Sequence, residues 1–275
     1  MSIHKPAVSP LAIGRDIYQH RYLLKTMIWR EINGRYRSSL LGVLWSFITP
    51  LLMLAIYTFV FTVVFQARWN IEAEHGQATF ALVLFVGLII HGLIAEVLGR
   101  SPGLMYEHGN YVKRVVFPLQ LLPLVPCCSA LFHFFISVGM LLLVILLLGH
   151  PVHATLLWLP VVIAPLMPML AGLAWLLSAL GVYVRDISHV SGLIVTVLLF
   201  VSPIFFPADA LGETFQRFMY LNPLTVIIEQ ARGVLLWGQT PDALALIGYS
   251  VVSCSVAWLG YTVFQKARGG FADVL

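Results

Sequence analysis

A strongly apolar stretch of the chain, YLNPLTVIIEQARGVLLWG at 220–238, carries an acidic and a basic residue near its middle. Glu229 and Arg232 are three positions apart, so on a helix they share one face and can form an ion pair. Ionisable residues within apolar segments are rare and commonly functional. Two interpretations stay open: an interfacial helix with an ordinary ion pair, or a gate beside a translocation path, with Asn222-Pro223 breaking the segment.

Sequence motifs for catalysis and nucleotide binding are missing. The chain has no Gly-Lys dipeptide and therefore no GxxxxGK[ST] loop, and it has no HExxH, CxxC or GxSxG. We therefore assign no catalytic residue, metal ligand or cofactor site, and we expect a chain that is not an enzyme. Asp186 beside Arg185 is interpreted as local electrostatics, with a catalytic role as the alternative. The histidines that invite a metal interpretation lack the right neighbours: His91, His133, His150 and His153.

The composition indicates a membrane protein. Of the 275 residues, 60% are hydrophobic and 10% are charged, against roughly 25% charged in a soluble domain. No Asp, Glu, Lys or Arg occurs between Arg114 and Arg185, a run too long for a soluble core. The basic balance, with a pI of about 9.1, is explained by lipid headgroups rather than nucleic acid. Cys127, Cys128 and Cys254 lie in apolar runs and indicate no disulfide framework.

Hydrophobic runs of about 20 residues predict six transmembrane helices. The runs are Leu40–Phe65, Phe80–Leu98, Phe117–Leu148, Leu156–Tyr183, Val190–Phe206 and Leu244–Phe264. The expected fold is an all-α polytopic membrane protein with an N-terminal amphipathic interfacial helix and short re-entrant helices between spans five and six. We treat residues 1–275 as one transmembrane domain, with 1–39 before the spans, 40–265 as the six-span core and 266–275 as a tail.

The distribution of basic residues predicts the topology. With six spans both termini lie on one side, and the positive-inside rule makes that side cytoplasmic. No signal peptide is expected, because the first apolar run begins only at Leu40. Loop 207–243, including the 220–238 stretch, then lies on the outer side. The basic residues on the inner side are Lys5, Arg15, Arg21, Lys25, Arg30, Arg35, Arg37, Arg100, Lys113, Arg114, Arg185, Lys266 and Arg268, against Arg68, Arg217 and Arg232 outside.

Two further segments are unusual. The N-terminal segment predicts an amphipathic helix, which is either a topology anchor or a collar at a cytoplasmic entrance that attracts an anionic substrate head. Its basic and polar face carries Arg15, Gln19, Thr26, Arg30, Asn33 and Arg37; its apolar face carries Ile17, Leu24, Met27, Ile28 and Ile32. The longest inner loop, Arg100–Pro123, allows a short helix around Leu104–His108, where a cytoplasmic partner could act.

Five motifs occur in an order and spacing that resemble one family. They are WREINGRYRSSLLGVLWSFITPLLMLAIYTFVFTVVF at 29–65, NYVKRVVFPLQLLPL at 110–124, GVYVRDISHV at 181–190, VSPIFFP at 201–207 and the 220–238 stretch. The chain resembles, over nearly its whole length, transmembrane subunits of type-2 ABC exporters of polysaccharides and polyol phosphates. The RYxSSxLGxLW form favours O-antigen exporters, with capsule and teichoic acid as the other cargoes.

The resemblance implies a homodimer in the bacterial inner membrane, driven by two copies of a separate ATPase that binds ATP and Mg. It also implies roles for the three unusual segments. The N-terminal segment corresponds to an amphipathic gate helix, and the other two segments to an ATPase-coupling helix and an outer gate. The coupling helix is assigned to Leu104, Met105, Tyr106, Glu107 and His108, and the outer gate to Asn222, Pro223, Glu229 and Arg232. We add the hypothesis that Arg30, Arg35 and Arg37 form an entrance that attracts the phosphate of a lipid-linked glycan. Aromatic residues that either line a sugar pore or form an interface belt include Tyr57, Phe61, Phe200 and Phe205.

The sequence thus predicts the permease subunit of an ATP-driven exporter of a lipid-linked polysaccharide, with O antigen as the favoured cargo. A first alternative is the same fold exporting drugs or small lipids. A second is a membrane-embedded glycan-modifying enzyme, but no His or carboxylate is spaced for catalysis. A third, a secondary transporter, would need acids at the bilayer midplane, and only Glu96 comes near.

Overall fold

The computed structural model of the chain describes residues 10–36, 41–60, 76–113, 117–206 and 218–275, and within these ranges the regular structure is entirely helical. This confirms the all-α prediction for the described part of the chain. The α-helices, numbered in chain order, are α1 Pro10–Gln19, α2 Arg21–Tyr36, α3 Trp45–Thr58, α4 Gly76–Arg100, α5 Leu104–Glu107, α6 Gly109–Val112, α7 Leu124–Leu147, α8 Leu159–Ile163, α9 Leu166–Tyr183, α10 Ile187–Val201, α11 Thr225–Leu236, α12 Ala243–Ala267 and α13 Phe271–Val274.

Four helical stretches are long and apolar enough to cross a membrane: Phe80–Arg100, Leu119–Leu147, Ala154–Tyr183 and Ala243–Val274. They confirm the second, third, fourth and sixth predicted spans. Helices α3 and α10 are apolar but contain 14 and 15 described residues, fewer than the roughly 17 that cross a bilayer. Both ends of the first predicted span, Leu40 and Phe65, lie outside the described residues, so the count of six stays a prediction.

Prolines divide the fourth span, which the sequence predicted as one helix. A 3-10 turn over Ala154–Trp158 leads into the short helix α8, and Pro165 then immediately precedes α9. Proline has no N–H to donate and its ring clashes with the preceding turn, so each proline here starts a new helical segment. The backbone carbonyl of Pro165 accepts a hydrogen bond from the hydroxyl of Ser253 in α12. The break in the span is therefore held in place by a neighbouring helix.

Helices α9 and α12 approach each other closely because glycine lies at their contact. A Cβ atom built on Gly260 would lie 2.0 Å from the carbonyl oxygen of Gly172, and one built on Gly172 would lie 2.5 Å from the carbonyl oxygen of Val256. Both distances are shorter than any real contact, so a side chain at either position would push the helices apart. Small residues at such crossings are a common device of helix packing in membranes.

The buried side chains form two clusters, a larger one that runs along α4 and a smaller one around α5. The larger cluster joins α4, α7, α9 and α11 and reaches the start of α4 through Leu82 and Phe85. The smaller cluster joins α5, α9, α12 and α13 with α2 through Met105, Trp175 and Leu24. We call these the α11 end and the α5 end of the bundle. The candidate functional residues lie at both ends and in a cavity between them.

Candidate functional site

At the α11 end, the guanidinium of Arg232 joins three segments of the chain. Its side chain is 1% exposed. Nε donates to the carbonyl oxygen of Val83 in α4 at 3.1 Å, Nη2 donates to that of Ile204 after α10 at 3.1 Å, and Nη1 donates to Glu229 Oε1 at 3.0 Å. A buried arginine is tolerated when its fork of donors is met by acceptors in this way. Arg232 therefore fastens α11 to α4 and to the end of α10.

The ion pair is buried on one side and partly open on the other. The side chain of Glu229 is 37% exposed, whereas that of its partner Arg232 is almost fully enclosed. The sequence left open whether this pair faces water or the protein. In the structure Arg232 faces the protein interior, and Glu229 is partly exposed at the surface. Gly87 of α4 makes room for the guanidinium, because a Cβ there would lie 3.3 Å from Arg232 Nη2 and 3.3 Å from the Cα of Ile204.

The turn before α11 is built around Asn222. Its Oδ1 accepts from the backbone N–H of Leu224 at 2.9 Å, and its Nδ2 donates to the hydroxyl oxygen of Ser202 at 2.9 Å. Helix α11 begins at Thr225, so Pro223 belongs to this turn. The carbonyl of Pro223 accepts from the hydroxyl of Tyr249 in α12 at 2.9 Å, which ties the turn to the last long helix.

At the α5 end, the loop between α4 and α7 contains the short helix that the sequence allowed, over Leu104–Glu107. Leu104 and Met105 are buried beneath it, while Tyr106 and Glu107 point outward. The hydroxyl of Tyr106 donates to the carbonyl of Val182 at the end of α9, at 3.0 Å. His108 closes the helix, with Nδ1 lying 3.0 Å from the carbonyl of Leu104. Helix α5 is thus anchored on α9 and exposes a small polar and aromatic surface.

A glycine sets how closely this loop approaches α9. A Cβ on Gly181 would lie 2.1 Å from the carbonyl oxygen of Pro102, in the turn that precedes α5. A side chain at that position therefore cannot coexist with the present position of the loop. The ring of Tyr106 also faces the guanidinium of Arg185 beyond α9, at 5.9 Å from the ring centroid, a cation–π distance.

The N-terminal helices turn their apolar face toward the protein rather than outward. Leu24 and Ile32 are buried, and Ile17, Met27 and Ile28 are partly buried against the cluster at the α5 end. The sequence had placed these residues on the face opposite the basic stripe of an interfacial helix, without this protein partner. The predicted polar stripe is exposed at Arg15, Gln19, Thr26, Arg30 and Asn33. A second exposed group carries aromatic rings beside basic residues. Its members are Tyr18, Arg21, Tyr22, Lys25 and Trp29.

Two ion pairs connect α2 with α4. Glu31 of α2 accepts from the guanidinium of Arg100 of α4, and Arg35 of α2 donates to Glu96 of α4 at 2.6 Å. Arg30 reaches the hydroxyl of Tyr111 at 3.4 Å. Of the residues predicted to attract a phosphate, Arg35 therefore already has a carboxylate partner within the chain, and Arg37 lies outside the described residues.

A cavity of about 530 Å³ opens between α3, α4 and α7. Its polar end is formed by Arg35, Glu96 and His133. Nδ1 of His133 lies 3.0 Å from Glu96 Oε2 and 3.1 Å from Arg35 Nη1, so the three side chains contact one another. Helix α3 lines the cavity with Trp45, Thr49, Met53 and Tyr57.

Sequence reasoning missed this grouping. It noted Glu96 at a helix end and His133 as one of several histidines, and it found no His or carboxylate spaced for joint chemistry. The two residues are 37 positions apart and come together because α4 packs along α7. The available signal was that each is an ionisable residue inside a predicted span, where such groups face the protein interior.

The predicted aromatic residues do not form one group. Tyr57 lines the cavity, whereas Phe200 and Phe205 contact each other with ring centroids 5.9 Å apart, Phe200 being largely exposed. Phe61 lies outside the described residues. Within the ranges that the structure describes, no three His, Cys, Asp or Glu side chains gather as a metal site.

The long apolar helices and the cavity with its polar side chains indicate a multi-span membrane protein with a polar cavity among its helices. Comparison with known proteins specifies the class further. Residues 22–236 match the ABC-2 type transporter family, and the chain belongs to this family. An O-antigen export system permease protein RfbA of Myxococcus xanthus is 28% identical over 96% of this chain and 99% of its own length.

More distant relatives cover most of the chain as well. An O-antigen export system permease protein RfbA of Klebsiella pneumoniae is 23% identical over 92% of this chain and 95% of its own length. A polysialic acid transport protein KpsM of Escherichia coli is 20% identical over 88% of this chain and 92% of its own length. These matches confirm the family resemblance found in the sequence motifs.

Proposed function

We propose that the chain is the permease subunit of an ATP-driven exporter that moves a lipid-linked polysaccharide, the O antigen of lipopolysaccharide, from the cytoplasmic to the outer side of the bacterial inner membrane. The observation that carries this proposal is the end-to-end relation to an O-antigen export permease, over 96% of this chain and 99% of the relative. A polysialic acid transporter among the more distant relatives supports polysaccharide as the broader cargo class.

In this proposal two copies of the chain form the membrane pathway and two copies of a separate ATPase supply the energy. Helix α5 is the contact with the ATPase, since it exposes Tyr106 and Glu107 and is anchored on α9. Motion of the ATPase would then pass directly to a long helix. Six spans with both termini in the cytoplasm place α5 on the ATPase side and α11 on the outer side, where Arg232 fixes the helix beside the exit.

The chain itself performs no chemistry in this proposal. ATP and Mg are bound by the partner, because the sequence offers no phosphate-binding loop. Glu96 and His133 face the cavity, but family membership favours transport over catalysis. The alternative of a drug or small-lipid exporter rests on the same fold and has no supporting relative among those described above.

Deletion and complementation test the proposal. Loss of the chain should remove O antigen from the cell surface while lipid-linked polymer accumulates inside, and the wild-type chain should restore export. Lipopolysaccharide is analysed on gels, and the polymer is located by antibody in intact and in permeabilised cells. Normal surface O antigen in the deletion strain would refute the proposal. Altered drug resistance with unchanged glycan would identify the alternative cargo.

A further inference from the structure

The cavity between α3, α4 and α7 combines side chains of three kinds on its walls. Helix α3 contributes Trp45, Thr49 and Tyr57, which follow one another at multiples of four positions and so share one helical face. Helix α4 contributes Glu96 and α7 contributes Ser137. Aromatic rings, hydroxyls and a carboxylate therefore converge on one space, whose volume of about 530 Å³ is within the range of ordinary ligand pockets.

The carboxylate at the polar end already has basic partners within the chain. The carboxylate of Glu96 lies between Arg35 and His133, which together make three contacts to it. An anionic ligand would have to displace this carboxylate. A carboxylate offers roughly four acceptor positions, so a hydroxyl-bearing ligand can add a hydrogen bond without disturbing the existing pairs. The site is therefore better matched to neutral hydroxyl groups than to a phosphate.

We infer that this cavity, within a single protomer, binds one neutral saccharide unit. Glu96 accepts hydrogen bonds from sugar hydroxyls, Thr49 and Ser137 line the same space, and Trp45 and Tyr57 offer apolar ring faces. The inference rests on the proposed function, which supplies a glycan as cargo. Each subunit would then contain its own sugar-binding site. Binding of the sugar would also affect α2, because Arg35 of α2 contacts the same carboxylate of Glu96 that the sugar would use.

Gly92 provides a way to block the site. It lines the cavity, and a Cβ built on it meets nothing within 4 Å, so Gly92→Leu fills the space without a backbone clash. Gly139 of α7 is the matched control, since its Cβ also meets nothing within 4 Å and it is not among the residues that line the cavity. Gly92→Leu should reduce export strongly, and Gly139→Leu should leave it unchanged.

Cysteine labelling measures occupancy directly. The three native cysteines are replaced by alanine, and Ser137→Cys or Thr49→Cys then reports on the cavity while Ser188→Cys reports on an exposed site elsewhere. Membranes are opened by freezing and thawing and labelled with a fluorescent maleimide. They come from cells that make the glycan and from cells in which the first sugar transfer is blocked.

Glycan should slow labelling at both cavity positions about tenfold, as expected for a site occupied roughly 90% of the time, and should not affect position 188. Gly92→Leu should remove the difference between the two kinds of cell. Equal labelling rates in both kinds of cell overturn the inference. Equally slow rates in both mean that membrane lipid fills the cavity, which also overturns it. If the wild-type chain restores surface O antigen but shows no such protection, this inference fails while the proposed function stands.

Discussion

Arg232 Nε and the carbonyl oxygen of Val83 lie 3.1 Å apart although 149 positions separate the two residues in the chain. The contact joins α11, a short helix with a mixed sequence, to the start of a long apolar span. A second carbonyl, from Ile204, and the carboxylate of Glu229 also accept hydrogen bonds from the guanidinium. One side chain thus joins α11 to two other segments of the bundle, in addition to the apolar packing of that helix.

Replacement of Arg232 should therefore affect stability and export together. A hydrogen bond to a charged group contributes roughly 1.5–3 kcal/mol, so Arg232→Gln should lower the melting temperature of the purified protein clearly. Arg232→Lys should give an intermediate result, because an ammonium cannot reproduce the planar fork. Glu229→Gln should be milder, since Glu229 is partly exposed, and the double variant should resemble Arg232→Gln alone. Equal effects of the two single variants would contradict this assignment.

Substitution of Gly181 should displace α5. Its Cβ would collide with the carbonyl of Pro102, 2.1 Å away, so Gly181→Ala should weaken co-purification of the ATPase and lower export. Gly192→Ala is the control, because a Cβ there meets nothing within 4 Å. If both variants retain the ATPase equally, the position of α5 does not matter for coupling.

The exposed surface of α5 should be required for coupling in its own right. The combined change of Tyr106, Glu107 and His108 to alanine should detach or uncouple the ATPase while the permease still inserts into the membrane. Pull-down of the ATPase and its transport-stimulated hydrolysis are the measurements. Normal values for both, together with normal export, would rule out this contact.

The crossing of α9 and α12 should tolerate no added methyl group. Gly260→Ala places a Cβ 2.0 Å from the carbonyl of Gly172, and overpacking of this kind costs about 1–3 kcal/mol. Gly248→Ala lies on the same helix in open space and should change little. Thermal unfolding in detergent distinguishes the two variants, and indistinguishable curves would show that the helices separate at no cost.

The arginines of the N-terminal segment should contribute to export beyond their effect on protein level. Changing Arg30, Arg35 and Arg37 to glutamine should reduce surface glycan more than it reduces the amount of permease, if they attract the phosphate of the lipid carrier. Arg35 also holds Glu96 at 2.6 Å, so its single variant should be the most severe. A parallel fall in protein and glycan would favour a topology anchor.

Segments with a strong composition were predictable from the sequence. The long apolar runs gave four spans, and glycine and proline in the inner loop allowed the short helix that begins at Leu104. The i,i+3 spacing gave the Glu229–Arg232 pair because a helix fixes that relation locally. Local pattern also identified the N-terminal helices, although it could not show that Leu24 and Ile32 are covered by protein.

Relations between distant segments were not predictable in this way. Hydropathy does not show which helices are neighbours. The contact between Glu96 and His133 could therefore not be predicted from a single sequence. Besides Glu229, Arg232 contacts the backbone carbonyls of Val83 and Ile204. Every residue has a backbone carbonyl, so the sequence cannot show which ones Arg232 contacts. The role of Gly87, which leaves room for that guanidinium, became visible only through packing.

The two ion pairs between α2 and α4 also favour one alignment of these helices along their length. Each helix carries a glutamate followed four positions later by an arginine, Glu31 with Arg35 and Glu96 with Arg100, and the helices pair them crosswise. Sliding α2 along α4 by one turn would bring arginine against arginine or glutamate against glutamate. Such like-charge contacts are destabilising. The crossed ion pairs therefore disfavour a shift of α2 along its own axis by a whole turn, whereas α2 can separate from α4 without bringing like charges together.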